Sequence, residues 1–429
     1  MRLPSAVQAV KRAVRPLERR HYPPLARLYR GLLGKVCFVG ITGSCGKTTT
    51  KDMAAAVLSA RGDGVKGRQL FNRISDVSRT ILSVRPSHSF CVEEIGASDP
   101  GMLARSAAIF SPQIAVVTMI GLDHYKSYRG EEAIAAEKVG LVKALSADGT
   151  AVLNVDDPLV WEMRESTDAR VIGYGLGEEA TLRAEDVSSI WPERLSFTVV
   201  YGDERRRVQT QLLGEKPVHS ALAAIAIGLA RGIALEDCVR RIETVEPAFA
   251  RMSAHTTDDG VTFIVDTWKA PYYTLPDTID FMRNARADRK LMVFGTFSDY
   301  PGSASNKYRR VARESLEFAD RVIFNSPLNK SILKERNEEN EGRLLTFETT
   351  YEISRYLGEE LRPGDLVMLK SSSANHHERL VMDRMALRGT ILDRESDGNS
   401  ISCWREHCGL FKPCMFCEKR NDDVVPLLS

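Results

Sequence analysis

The sequence predicts an α/β protein, because short apolar runs alternate with longer stretches of helical periodicity along most of the chain. A length of 429 residues exceeds one ordinary hydrophobic core and indicates two or three domains. A glycine-bearing turn between the first apolar run and the first clear helix is typical of a phosphate-binding loop. We therefore expect a P-loop-type domain with a mainly parallel central sheet, a C-terminal Rossmann-like α/β domain and a short Cys-rich tail.

The first of these domains is expected at residues 36–249. Its predicted strands are short apolar runs at 36–41, 90–94, 114–120 and 151–154. Its main predicted helices, which carry apolar residues at helical spacing, lie at 48–60, 130–144 and 219–231.

The second domain is expected at residues 250–395. Its predicted strands lie at 262–266, 290–295, 321–324 and 366–369. The predicted helices between them lie at 275–284, 307–318 and 351–361. Hydrophobic periodicity then fades, so the Cys-rich tail is placed at 396–429.

Overall charge gives little indication of a polyanionic partner. The net charge of +2 offers no electrostatic case for nucleic acid. No apolar run approaches the roughly 20 residues of a membrane helix, and the start lacks the apolar core of a secretory signal. A cytoplasmic location is the expectation.

The N-terminal segment, residues 1–35, is an exception to this balance. It holds nine Lys and Arg residues against one Glu, and Val7, Val10, Val14 and Leu17 fall at helical spacing. A short basic amphipathic helix follows from this pattern. Two interpretations remain open: the helix packs on the enzyme, or it contacts anionic lipid or a protein partner.

The predicted phosphate loop follows the first strand and precedes the first helix. Its glycines let backbone N–H groups approach phosphates, and the helix adds its positive N-terminal end. The Lys47 ammonium would reach the β- and γ-phosphates, and the Thr48 hydroxyl would face Mg²⁺. The candidate nucleotide-binding residues in this loop are Gly43, Ser44, Cys45, Gly46, Lys47, Thr48 and Thr49.

The loop and the helix after it, GITGSCGKTTTKDMAAAVL, resemble the Mur ligase superfamily, and within it the branch that adds D-alanyl-D-alanine to a muramyl tripeptide. Further motifs follow in the order that the superfamily uses. The resemblance covers about residues 36–390. It implies an ATP-dependent acid–amine ligase that activates a carboxylate as an acyl phosphate, with ATP and Mg²⁺ as cofactors. The predicted partners are a carboxylate substrate and an amine, either an amino acid or a peptide.

Three positions match the metal and lysine motifs of the superfamily. Glu94 before Ile-Gly-Ala matches the glutamate that holds Mg²⁺, a hard ion suited to carboxylate oxygen. His124, after Asp123, matches a ligand of a second metal, and Lys138 matches a lysine that is usually carbamylated. With Thr48, the resemblance assigns these residues to Mg²⁺, and it counts His124 and Lys138 as catalytic. Asn154 matches the nucleotide-side turn Asn-x-Asp-Asp.

The second half carries weaker matches. Arg251 matches an arginine expected at the transferred phosphate, where it would stabilise developing charge. Asp266 matches a nucleotide-contacting aspartate. Where the superfamily usually has a histidine and two asparagines, this chain has Lys216, Pro217 and Ser220, which puts the usual base recognition in doubt. Near the C-terminal end of the resemblance, Lys370 is a candidate for contacting the amine, and His376 and His377 are interpreted as surface residues.

Two alternatives accompany the ligase interpretation. Peptidoglycan ligases of this superfamily carry a sizeable N-terminal domain that binds the UDP-sugar, and only about 35 residues precede the loop here. We therefore expect a substrate other than a UDP-muramyl peptide, with a UDP-muramyl-peptide ligase as the first alternative. A nucleotide-binding scaffold that has lost catalysis is the second.

The tail contains four cysteines within 15 residues, including one Cys-x-x-Cys unit. Clustered cysteines in a cytosolic setting favour metal over disulfides, and four thiolates suit a structural Zn²⁺ site. An iron–sulfur cluster or free cysteines are the alternatives. The candidate zinc ligands are Cys403, Cys408, Cys414 and Cys417.

Overall fold

The computed structural model describes residues 22–68 and 73–386. The predicted helix near Val7–Leu17 and the predicted zinc ligands Cys403, Cys408, Cys414 and Cys417 lie outside these residues. The chain divides into two compact units. Within the described residues, the first unit contains the chain up to Ser188 with Leu195–Gln211 and Glu215–Val245, and the second contains Ser189–Arg194, Leu212–Gly214 and the chain from Glu246 onward.

The first unit is built on a sheet that has nine strands within the described residues, in the order β2-β3-β1-β4-β5-β6-β7-β8-β9. Pairing is parallel from β2 to β7, and β8 and β9 continue the sheet as antiparallel strands. The strands are β1 (Cys37–Thr42), β2 (Gly64–Lys66), β3 (Phe90–Glu94), β4 (Ile114–Val117), β5 (Thr150–Asn154), β6 (Arg170–Gly175), β7 (Leu182–Ser188), β8 (Ser196–Tyr201) and β9 (Glu204–Gln209).

Helices cover this sheet. A helix over 22–31, named α1, precedes β1. The others are α2 (Lys47–Leu58), α3 (Ile74–Ser83), α4 (Met102–Phe110), α5 (Tyr125–Tyr128), α6 (Glu131–Val142), α7 (Pro158–Trp161), α8 (Pro217–Ala230) and α9 (Leu235–Ile242). Most of α8 is apolar and buried, which is expected of a helix enclosed by the sheet and neighbouring helices.

The second unit is a smaller sheet of six strands within the described residues, in the order β10-β11-β15-β12-β13-β14. Only β10 is antiparallel to its neighbour. The strands are β10 (Ser253–Thr256), β11 (Thr262–Asp266), β12 (Arg289–Phe294), β13 (Arg321–Phe324), β14 (Leu344–Thr346) and β15 (Asp365–Lys370). The helices are α10 (Leu275–Asn284), α11 (Ala304–Leu316), α12 (Asn329–Ile332), α13 (Thr350–Glu360) and α14 (Glu378–Ala386).

Strand register places the predicted functional residues of the first unit on one edge of its sheet. Ile41 of β1 lies beside Glu94 of β3, and Thr42 lies beside Val117 of β4. Because these strands are parallel, the residues that follow each of them meet at the carboxyl edge, where α/β folds bind ligands. In the part of the chain described above, no helix is long and apolar enough to cross a bilayer.

Candidate nucleotide site

The loop between β1 and α2 has a backbone that only glycine fits at two positions. Gly43 has φ of 141°, and a Cβ there would lie 1.9 Å from the Thr118 hydroxyl oxygen. Gly46, at φ of 81°, forms the N-terminal cap of α2 and offers no side chain to cap it. The first backbone N–H groups of a helix have no partners inside the helix. The loop therefore presents unscreened N–H groups and the positive end of a 12-residue helix to an anion.

The loop is fastened to the segment that follows β4. The backbone N–H of Ser44 donates to the Met119 carbonyl at 2.8 Å. The Ser44 hydroxyl bonds both the N–H and the carbonyl of Gly121, at 3.0 and 2.9 Å. The Thr118 hydroxyl donates to the Cys45 carbonyl at 2.6 Å. These contacts hold the loop in place, and they occupy the N–H of Ser44.

Two predicted lysines converge on one atom of the loop. Lys47 Nζ donates to the Gly43 carbonyl oxygen at 2.6 Å, and Lys138 Nζ donates to the same oxygen at 3.0 Å. Lys138 belongs to α6 and lies 95 residues after Gly43 in the sequence, and it is only 2% exposed. Lys47 Nζ also lies 3.8 Å from a carboxylate oxygen of Asp123. The site thus concentrates positive charge beside the helix N-terminus, an arrangement suited to a polyphosphate.

Glu94, at the end of β3, shares this edge with a buried cation that the sequence analysis missed. Its carboxylate lies 2.8 Å from Nζ of Lys51, a fully buried residue of α2. The neighbouring Glu93 is also buried, and burial raises its pKa to about 8, although a hydrogen bond from Thr80 and the Lys51 charge lower it. Lys51 therefore fixes the Glu94 carboxylate beside the loop.

His124 stands at the same edge, on the chain after β4. It has φ of 55° and begins the short helix α5, and its ring lies 3.5 Å from the Asp123 carboxylate. Asp123 is 3% exposed, so the pair forms the wall of the site beside Lys47. Glu137, next to Lys138, accepts hydrogen bonds from the N–H groups of Gly101 and Leu103, which anchors α6 to the start of α4.

Asn154 and the start of α8 complete this edge. The Asn154 side chain donates to the Thr118 carbonyl at 3.0 Å, so it orders the strand end beside the loop. The hydroxyl of Ser220 lies 3.4 Å from the Gly46 carbonyl. Ser220, which stands where the superfamily usually has an asparagine, therefore contacts the phosphate loop directly.

An Asp156–His219 pair beside Ser220 was not predicted. His219 Nε2 lies 2.9 Å from the Asp156 carboxylate, which also accepts the N–H groups of Leu176 and Gly177. Burial alone would raise the pKa of Asp156, but these hydrogen bonds lower it below its usual value. The aspartate of the Asn-x-Asp-Asp motif was visible in the sequence, but its partner 63 residues away was not.

The remaining predicted residues lie in the second unit. Asp266 and Lys370 end adjacent strands, and Lys370 Nζ lies 2.5 Å from the Asp266 carboxylate. The Arg251 guanidinium lies over the Trp268 ring, 5.6 Å from its centroid. The surface interpretation of His376 and His377 was wrong: His377 is fully buried, and the His376 side chain is 12% exposed and lies 3.6 Å from the buried Glu378.

The donor set at the first edge suits a hard ion in part. Across the described residues, no group of three or more His, Cys, Asp and Glu side chains is arranged to hold a metal ion. The predicted Mg²⁺ set contains two such residues, Glu94 and His124, and otherwise depends on Thr48, Lys138 and nucleotide oxygens. The Glu94 carboxylate and the buried Thr48 hydroxyl have the oxygen chemistry that nucleotide-bound Mg²⁺ prefers.

Comparison with known proteins assigns this arrangement to a family. A family model described as the Mur ligase middle domain matches residues 41–228. A UDP-N-acetylmuramoyl-tripeptide–D-alanyl-D-alanine ligase from Mycobacterium bovis is 30% identical over 368 residues, covering 80% of this chain and 71% of that protein. The chain belongs to the Mur ligase family. The family resemblance, the α/β fold and the acid–amine ligase class predicted from the sequence are confirmed at this level.

Two further Mur ligases extend the comparison. A protein from Mycobacterium leprae with the same name is 33% identical over 304 residues, which cover 68% of this chain. The match spans 57% of that relative's length. The structure of a MurF ligase from Thermotoga maritima in complex with ADP aligns with a TM-score of 0.73 at 21% identity, covering 86% of this chain and 85% of that one. At this identity the structural match establishes the fold alone.

Proposed function

We propose that this Mur ligase couples a carboxylate to an amine, with ATP cleaved to ADP and phosphate through an acyl-phosphate intermediate. The observation that carries the proposal is the convergence of Lys47 and Lys138 on the Gly43 carbonyl, beside the N-terminus of α2. Two ammonium groups beside a helix N-terminus suit the β- and γ-phosphates of a nucleotide better than a single cation would.

Each residue of this edge has a role in the proposal. The N–H groups that follow Ser44 bind the phosphates. Lys47 exchanges its contact with the Gly43 carbonyl for the γ-phosphate as negative charge develops there. The substrate carboxylate attacks the γ-phosphorus, ADP leaves, and the amine then displaces phosphate from the acyl carbon. Arg251 and Asp266 of the second unit keep the roles that the family resemblance gives them, at the transferred phosphate and the nucleotide.

Mg²⁺ is proposed at Thr48 and Glu94, with His124 and Lys138 as ligands of a second ion. Bound there, the ions would offset the negative charge of the phosphates. Lys51 positions the Glu94 carboxylate, and Asp123 orients the His124 ring. Carbamylation of Lys138 would turn a buried cation into an anionic ligand, and mass spectrometry of the intact chain under CO₂ tests this directly.

For the substrates, we propose a muramyl-peptide carboxylate and D-alanyl-D-alanine as the amine. The names of the relatives that align over most of this chain support this pair, whereas the sequence alone favoured another carboxylate. A cytoplasmic site of action is part of the same proposal, since ATP and UDP-linked precursors are both cytoplasmic metabolites.

The test is ADP release measured over pools of UDP-muramyl peptides, dipeptides and amino acids, with each product identified by mass. Amine-dependent ADP formation with a new amide product supports the ligase, and the pool that reacts identifies the substrates. ADP formation without any coupled product would contradict the proposal. ATP binding without turnover in every pool would instead favour a nucleotide-binding scaffold that has lost catalysis. Pro217 and Ser220, which replace the usual asparagines, are the reason for that alternative.

Zinc binding by the Cys-rich tail is a separate proposal that rests on the sequence alone. The zinc content per chain, compared between the unmodified protein and Cys414→Ser, tests it. Equal zinc content in the two proteins, or none in either, would contradict it.

A further inference from the structure

Helix α1 has one face buried against the first unit. Ala26 is 0% exposed and Leu33, just beyond the helix, is 1% exposed. The Tyr29 hydroxyl donates to the Val84 carbonyl at 2.7 Å, and Arg30 donates to the Phe110 carbonyl at 2.9 Å. These contacts fix the orientation of the helix, so its opposite face is defined as well.

The opposite face of α1 is apolar. Leu25 and Leu28 of α1 and Leu32, in the turn directly after it, are 54%, 75% and 76% exposed, and their spacing of three and four residues places them on one side. Among the described residues, six large hydrophobic side chains are exposed, and half of them are these three leucines. We call this set the leucine stripe. Single exposed leucines are ordinary, but a stripe on a firmly anchored helix marks an interaction surface.

The charge around the leucine stripe restricts its partner. Arg27 is exposed within α1 and Lys35 is exposed shortly after it, and residues 1–35 carry nine Lys and Arg against one Glu. The basic N-terminal segment, or a second copy of the chain, would bring like charge to like charge. An apolar stripe bordered by cations instead matches a lipid surface with anionic headgroups.

We propose that α1 binds the protein to an anionic lipid bilayer surface, with the leucine stripe inserted among the acyl chains and the surrounding basic residues at the headgroups. The interaction is peripheral and reversible, because three leucines and a few cations provide limited binding energy. It is independent of the ligase activity and uses none of the residues assigned to the nucleotide site.

The test is co-sedimentation of the full-length protein with phosphatidylcholine vesicles, with and without phosphatidylglycerol. We expect binding only where phosphatidylglycerol is present, and weaker binding as salt is raised. Leu28→Ser/Leu32→Ser should lower the partition coefficient by about tenfold per leucine. Arg27→Glu/Lys35→Glu should lower it by at least about fivefold per residue.

The matched control is Leu176→Ser, which changes a leucine that is 44% exposed outside α1 and should leave binding unchanged. Equal binding by the double-serine variant and the unmodified chain would overturn the proposal, as would the absence of binding to anionic vesicles. A self-association lost in the double-serine variant without vesicle binding would identify a second copy as the partner. A lower thermal midpoint in that variant without vesicle binding would show that the chain itself covers the stripe.

Discussion

The two units end their parallel strands in polar edges that differ in how charge is arranged. In the first unit, Lys47 and Lys138 both point at a backbone carbonyl of the phosphate loop. In the second, Asp266 and Lys370 face each other at 2.5 Å from adjacent strands. At the first edge, Lys47 and Lys138 contact a loop whose glycines expose N–H groups, whereas at the second edge the Asp266 and Lys370 charges contact each other directly.

This difference indicates which edge is built to receive a polyanion. Lys47 and Lys138 can exchange their contact with the neutral Gly43 carbonyl for phosphate oxygens, and the Asp123 carboxylate lies 3.8 Å from Lys47 Nζ, beyond hydrogen-bond distance. A buried ion pair loses several kcal/mol when one partner is taken away. The first edge is thus prepared for a nucleotide, and the pair at the second edge is rigid unless a ligand replaces one of its members.

The largest effect should follow from removing Lys47, one of the two cations that contact the phosphate loop. Lys47→Ala should lower the rate of amine-dependent ADP release by about 10²- to 10³-fold, because it removes a donor from the developing phosphate charge. The measurement is steady-state ADP release at saturating ATP.

Lys66→Ala is the control for that variant, since Lys66 is half-exposed and pairs with Asp52 away from the loop. The two variants should unfold at the same temperature as the unmodified protein. A rate for Lys47→Ala equal to that of Lys66→Ala would mean that Lys47 does not act on the phosphates and that its place at the first edge does not prepare that edge for a polyanion.

The next largest effect concerns the pair at the second edge. Asp266→Asn leaves Lys370, which is 3% exposed, without its counter-charge and should destabilise the protein by about 3 kcal/mol. The double variant Asp266→Asn/Lys370→Met should recover most of that loss. The free energy of unfolding in urea measures both, and additive losses in the double variant would show that the two residues do not act as a pair.

Gly43 tests the shape of the phosphate loop. Gly43→Ala should cost about 2–3 kcal/mol, because the new Cβ would lie 1.9 Å from the Thr118 hydroxyl oxygen and the backbone φ is unfavourable for alanine. Thr118→Ala in the same chain should relieve the collision but not the φ strain, and so restore part of the stability.

Gly358→Ala is the control for Gly43→Ala. Gly358 lies within α13, and a Cβ added there would have no atom within 4 Å. Because alanine favours a helix more than glycine does, Gly358→Ala should stabilise the protein by up to about 1 kcal/mol. Equal thermal midpoints for Gly43→Ala and the unmodified chain would mean that the loop is not held as described.

The sequence was sufficient for the loop and the strand ends of the first edge, because their patterns are local. Loop glycines, Lys47 and the end of β3 at Glu94 follow from short motifs, and β3, β11 and β13 were predicted with their observed bounds. The missed features depend on long-range contacts. The Lys51–Glu94 and Asp156–His219 pairs join residues that are 43 and 63 positions apart, so no local sequence pattern predicts them.

Exposed and unusual elements were also difficult to predict. Strand β9 buries only Val208, so its sequence lacks the alternation that marks a half-buried strand. Two short pieces, Ser189–Arg194 and Leu212–Gly214, belong to the second unit although they interrupt the first. His377 lies among polar residues, so its sequence context favours the surface, and only the packing of the fold buries it.

The burial of His377 gives the smallest expected effect, a pH dependence of stability that belongs to the second unit. Burial, together with the nearby His376, lowers the pKa of His377 to about 3, and both ring nitrogens lack hydrogen-bond partners among the described residues. The unfolded chain takes up a proton near pH 6.5, whereas the folded chain does not. The free energy of unfolding should therefore fall by about 2 kcal/mol between pH 7 and pH 5 on account of this residue.

His377→Leu should abolish that part of the acid sensitivity and cost little at pH 7, because it removes two buried nitrogens that have no partners among the described residues. His88→Asn is the control, since it removes a histidine from a partly exposed turn of the first unit and leaves His377 in place. Urea unfolding at the two pH values measures all three proteins. Equal slopes of unfolding free energy against pH for His377→Leu and the unmodified chain would show that His377 takes up its proton in the folded state. The second unit would then hold His377 as a buried cation, as the first unit holds Lys138.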